Sequence, residues 1–192
     1  MARCTISTAL MLALLVATGR ASEAGSGSSV NASPMCVTDG ETPLARVRTM
    51  DAAIADALQD GVRRSKTFMS LIERIEGSDG IVFIFPGGFR RMDRDIRLRA
   101  GMSHEVTRAS QYRVIRVTVE TGLGDNTLVL LAHELRHVLE VLDDPRATDL
   151  PSVTALYERI GFKVREGQYE TMAAHQAEAQ VRRELGRCKR QM

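Results

Sequence analysis

Apolar residues recur at helical spacing through residues 47–75, where Ile54, Leu58, Val62, Phe68, Leu71, Ile72 and Ile75 fall on one stripe. Gly61 and the segment 65–67 divide this stretch into two helices, and Ser65 or Thr67 can cap the second. Gly77-Ser78-Asp79-Gly80 ends it. The β-branched and aromatic run 81–85, closed by Pro86-Gly87-Gly88, predicts a buried strand. Residues 96–107 give a weaker strand signal. Residues 112–119 alternate, with Val114, Arg116 and Thr118 on one face and Arg113, Ile115, Val117 and Val119 on the other. Ala109-Ser110-Gln111 predicts a hairpin turn before that strand. Short connections predict an antiparallel sheet of about three strands.

A break at 122–126 precedes a helix predicted over 128–142, which Asp125 or Thr127 can cap and Asp143-Asp144-Pro145 ends. Further helices are predicted over 153–160, ended by Gly161, and over 170–185, ended by Gly186. The pattern is that of an α+β fold in which a small sheet packs against helices. There is no internal repeat, and 192 residues with 44% hydrophobic content suit one domain, placed at 46–192.

The first residues have the composition of a signal peptide, placed at 1–24. Arg3 supplies the positive start, residues 8–18 the apolar run, and Ala21, Ser22 and Ala24 the small residues of a cleavage site. The run falls short of the roughly 20 apolar residues a membrane span needs, so no stable span is expected; an uncleaved anchor is the alternative. Either way the domain is expected outside the cytoplasm, in the periplasm or secreted. Residues 25–45, rich in small and polar residues, read as a flexible linker. Removal of Cys4 with the signal leaves Cys36 and Cys188, a disulfide pair in an oxidising compartment or else two unrelated thiols. A net charge of +2, with basic residues scattered among acids, and 4% aromatics without Trp exclude a nucleic-acid surface.

Residues 133–137 read His-Glu-Leu-Arg-His. This spacing sets two histidines one turn apart on one helix face, where both rings reach one ion, with Glu134 beside them to take a proton from water. Leu128, Leu131, Ala132, Leu135, Val138, Leu139 and Leu142 form the apolar side of that helix, and charge gathers only around the motif. Helix geometry makes Glu140 a poor direct ligand; it is placed as an acceptor for a histidine N–H or a partner of Arg136. Glu170 heads the stripe of Ala173, Ala174, Ala177, Val181 and Leu185 on the last helix, and a carboxylate on a buried face needs a cation or a proton. The plainer alternative is a first-turn Glu stabilised by the helix dipole. His175 falls off the stripe and reads as a surface residue, and His104 as structural.

HELRH followed by a Glu on a later helix resembles the gluzincin branch of zinc metallopeptidases. The segments 131–140, Tyr169-Glu170-Thr171, Val181 and Glu184-Leu185 are similar to a poorly characterised bacterial family of small exported metallopeptidases. The resemblance implies a zincin-like core, a Zn2+ ion held by His133, His137 and Glu170, Glu134 as general base, and a peptide or protein substrate. Glu140 stands where metzincins have Gly, which excludes that branch. Tyr169, Tyr157 and Arg136 are the candidates for stabilising an oxyanion, with Tyr169 preferred as the catalytic partner of Glu134. A zincin-like module that binds metal without catalysis, and a metal-free helical scaffold, are the rival classes. There is no GxSxG for serine catalysis.

Overall fold

A computed structural model describes residues 44–87, 89–91, 96–165 and 167–190. Residues 1–43 lie outside it, and with them the expected signal peptide, nearly all of the expected linker and Cys36. Cys188 is buried, its Sγ 3.5 Å from the Arg64 carbonyl. Among the described residues no helix is long and apolar enough to cross a membrane.

Strand β1 (Val47–Thr49) opens the domain and leads into α1 (Ala52–Arg64) and α2 (Lys66–Glu76). Asp51 caps α1 by accepting from the Ile54 N–H, and Ser65 caps α2 by accepting from Phe68. The break between the helices is at Ser65 alone. Gly61 lies inside α1 because the Phe68 ring packs on it, leaving only 2.8 Å for an added Cβ.

Then come β2 (Gly80–Pro86), the short β3 (Phe89–Arg91) and β4 (Ile96–Leu98), β5 (Ala100–Met102), β6 (Thr107–Ala109) and β7 (Tyr112–Val119). β1, β2 and β7 are parallel; β5 and β6 run antiparallel to β7 along its other side. The sheet is therefore mixed and five-stranded, not the antiparallel sheet of about three strands the sequence predicts. The connections are the reason. The pair α1–α2 carries the chain back from β1 to β2, and β3–β6 fill the path from β2 to β7, so both returns are long enough for parallel entry. Ser110, at φ 56°, turns the β6–β7 hairpin where the sequence places it.

Helix α3 (Asp125–Asp143) is the centre of the domain and touches α1, α2, α5, β5 and β7. Gly124, at φ 58°, occupies its N-cap without a side-chain bond, so neither Asp125 nor Thr127 is the cap. Leu131, Leu135, Val138 and Leu139 are buried against Val82, Ile84, Ile115, Val117 and Val119 of the sheet and against the helices. Burial of each such side chain stabilises by about 1.5–3 kcal/mol. Arg113, a charge on the buried face of β7, holds the end of α3. Its guanidinium donates to the Val141, Leu142, Asp144 and Ala147 carbonyls and pairs with Asp79 at 2.7 Å.

Helix α4 (Leu150–Ile160) starts on an Asp149–Ser152 capping box. The hairpin β8 (Phe162–Arg165) and β9 (Gln168–Glu170), which the sequence reading lacks, leads to α5 (Met172–Lys189). Glu170 therefore ends a strand instead of heading the last helix, because Thr171 takes the N-cap and accepts from the Ala174 N–H. The fold is α+β: five helices around a small sheet among the described residues.

Candidate metal centre

The two histidines of HELRH come from the middle of α3 and are almost fully buried, His133 at 8% and His137 at 5% exposure. Their ring centroids are 4.9 Å apart. β9 brings Glu170 to them: its Oε2 is 2.9 Å from His133 Nε2 and 3.6 Å from His137 Nε2. The three ligand atoms lie within 4.8 Å of one another, the reach of a single ion. Glu170 Oε2 is buried and makes no hydrogen bond of acceptable geometry despite these approaches.

The opposite nitrogen of each ring faces another carboxylate. His137 Nδ1 donates to Glu140 Oε2 at 2.9 Å, and His133 Nδ1 donates to Glu178 Oε2 at 3.2 Å. A carboxylate accepts and does not donate, so each Nδ1 carries a proton and each Nε2 faces Glu170, where it can hold a second proton in the metal-free chain or give a lone pair to a metal. The Thr171 hydroxyl donates to Glu140 Oε1 at 2.7 Å, and Arg182 donates to Glu178 Oε1 at 2.7 Å, so both carboxylates are themselves held. Arg136 is a weaker neighbour of Glu140, at 3.8 Å.

These surroundings decide the proton affinities of the metal-free chain. Burial works to lower the pKa of His137, but its hydrogen bond to Glu140 and its approach to Glu170 outweigh that and raise it to about 9. His133 moves upward by the same balance, with Glu170 the main attraction. Burial works against the Glu170 anion, yet the two imidazoles hold its carboxyl well below the usual carboxylate range. Glu134 goes the other way. Burial raises its pKa against the pull of His137 and His133, and the Met102 backbone N–H donates to it from the edge of β5.

A cavity of about 540 Å³ opens beside the cluster, and Glu134, His137, Glu170, His104, Tyr157 and Tyr169 are among the residues that line it. Tyr157 is fully buried and its hydroxyl donates to the His137 carbonyl at 3.1 Å, so that group is committed to holding the α3 backbone. The Tyr169 hydroxyl donates to Glu158 at 3.4 Å while the residue lines the cavity. Arg136 is not among the lining residues. His175 is largely exposed, yet its ring lies 5.3 Å from His133 and its Nε2 3.6 Å from Glu170 Oε2.

Sequence reasoning missed Glu178 and the cavity position of His104. Glu178 had a signal: it stands four residues after Ala174, three before Val181 and seven before Leu185, on the apolar stripe of α5 itself. His104 had none, because it sits between two short strands without periodicity. The chain matches no family model, no curated protein and no solved structure, so the centre stands on its own geometry.

Proposed function

We propose that this chain is a zinc-dependent hydrolase of the gluzincin kind, with a zincin-like core, acting on peptide bonds. One observation carries the reading. Two imidazoles whose Nδ1 protons are already given to carboxylates turn their Nε2 atoms onto one buried oxygen of a third carboxylate, Glu170 Oε2. In the metal-free chain protons on the imidazoles hold these atoms together, in keeping with the raised pKa of His137; a divalent cation that displaces those protons would be gripped by all three. Two N donors, each backed by a carboxylate that orients its ring, and one O donor form a donor set that suits zinc. A third-party carboxylate, Glu134, is buried beside them and faces the cavity.

His133, His137 and Glu170 would hold the ion, and Glu140 and Glu178 would fix the two rings. When bound, zinc supplies Lewis acidity that polarises a carbonyl and makes water nucleophilic near neutral pH. Glu134 takes a proton from the attacking water and hands it to the nitrogen of the leaving amine. Its buried, raised pKa suits a group that must hold that proton between the two steps. The Ser103 N–H bonds to Arg116 in β7, so the alternate N–H at Met102 points the other way and serves Glu134. The same outward edge of β5 borders the cavity at Ala100, where an extended chain can pair with it.

The test is zinc quantitation together with hydrolysis of a peptide library. Wild type should carry one equivalent of zinc and cut peptides. Glu170→Ala should lose the metal, and Glu134→Gln should keep it and lose turnover. Metal-free wild type sinks the metal centre; zinc-loaded wild type that cuts nothing leaves a metal-binding module in place of a hydrolase.

A further inference from the structure

Of the four histidines of the chain, two border the cavity, and one of them, His137, belongs to the metal cluster. The other is His104. It stands two residues after the end of β5, and its neighbours are fixed: the Ser103 N–H donates to the Arg116 carbonyl in β7, the Glu105 N–H donates to Ser103 Oγ, and Val106 is buried. Its ring stacks on Tyr157 with centroids 5.0 Å apart and planes 20° apart. Tyr157 meets His137 edge-on at 5.5 Å and is anchored by its hydroxyl to the His137 carbonyl. Tyr169 closes the third side at 6.3 Å. The imidazole is therefore set in an aromatic frame that is built onto the metal-binding helix. Neither of its nitrogens has a hydrogen-bond partner among the described residues. A half-buried donor, rigidly placed and unspent, faces the same space as Glu134.

We infer that His104 is a catalytic residue whose ring N–H binds the carbonyl oxygen of the substrate as that oxygen becomes negative. This rests on the hydrolase reading above. In the step, the water oxygen bonds to the carbonyl carbon, the C=O pair moves onto oxygen, and Glu134 accepts the water proton. His104 donates a hydrogen bond to the oxyanion and transfers no proton. The C–N bond then breaks with its pair on nitrogen, which takes the proton from Glu134. The Tyr157 hydroxyl is committed to the His137 carbonyl, and the Tyr169 hydroxyl is directed to Glu158 at 3.4 Å.

The experiment compares two ligands by calorimetry on the full zinc-loaded chain. Phosphoryl-leucyl-phenylalanine mimics the tetrahedral, charged state, and acetyl-leucyl-phenylalanine mimics the planar one. The apolar cavity walls at Leu150 and Val164 suit these side chains. His104→Ala should weaken the phosphoryl ligand by about 100-fold and the acetyl ligand by less than about threefold, with kcat falling by a similar factor of about 100 and KM steady. His104→Gln, which keeps an N–H, should recover part of both losses, and zinc content should stay at the wild-type level in both variants. Equal weakening of both ligands, no weakening, or loss of zinc overturns the assignment. A wild type that holds zinc but binds the two ligands equally and cuts no peptide overturns the hydrolase reading, and this assignment with it. Turnover that depends on Glu134 but not on His104 overturns only the latter.

Discussion

His137 Nδ1 lies 2.9 Å from Glu140 Oε2, one turn along the same helix, and the Thr171 hydroxyl holds the other oxygen of that carboxylate at 2.7 Å. The chain thus fixes the ring that faces Glu170 from behind, with a residue supplied by the N-cap of α5. Glu140→Gln should keep the fold and weaken zinc binding about 10–100-fold, since groups that orient a histidine ligand contribute on that scale. A chelator-competition titration reads this directly. Unchanged affinity would make Glu140 an ordinary buried carboxylate. Glu178→Gln should give a smaller loss, because its bond to His133 is longer, at 3.2 Å, and more open to water.

Gly161 packs closely against the strand that carries Glu170. A Cβ there would lie 2.8 Å from the Glu170 carbonyl oxygen and 2.9 Å from that of Tyr157. Gly161→Ala should therefore push β9 away from α4 and carry Glu170 with it. Zinc affinity should drop at least about tenfold although no ligand is touched, because metal–ligand bonds tolerate only about 0.2 Å of misplacement. Equal zinc affinity in the variant would show that β9 shifts without consequence.

Arg113 should matter to stability and not to chemistry. Its removal leaves the carbonyls at the end of α3 without their donor inside the protein. Arg113→Ala should cost about 2–4 kcal/mol, the scale of several buried acceptors losing a charged donor. Urea denaturation measures it. Hydrolysis per zinc-loaded, folded molecule should stay near that of wild type.

The metal-free and zinc-loaded chains should respond to pH in opposite directions. In the metal-free chain the His137 pKa is raised to about 9, above its unfolded value near 6.5. Its contribution is fully present below about pH 6.5 and is lost as pH rises through about 9. The raised pKa of Glu134 acts with the same sign. Zinc displaces protons from the imidazoles, so its binding strengthens over that same rise. The gap in Tm between zinc-loaded and chelator-treated protein should therefore widen from pH 6 to pH 9. A constant or shrinking gap would remove the two histidines from the ligand set.

The helices were legible because each must bury a stripe, and stripes repeat at a fixed period. Ile54, Leu58 and Val62 announce α1 in this way, as Leu131, Leu135, Val138 and Leu142 announce α3. The direction of the strands was not legible. β1 is only three residues long, and its parallel pairing with β2 depends on what α1 and α2 do between them. The β8–β9 hairpin was overlooked for another reason: Phe162-Lys163-Val164-Arg165 alternates apolar and polar residues, but over only four positions, all of them exposed, and β9 adds three more.

By itself the sequence determined the spacing of His133, Glu134 and His137, because a helix converts a separation of four residues into one shared face. It also marked Glu170 and Glu140 as carboxylates that burial would force into company. Only the tertiary structure decided that Glu170 arrives on a strand, that Glu178 stands behind His133, and that His104 shares the cavity with Glu134. Those meetings join residues far apart along the chain, and no local period encodes them. They are set by how α3, α5 and the sheet edge pack around one core.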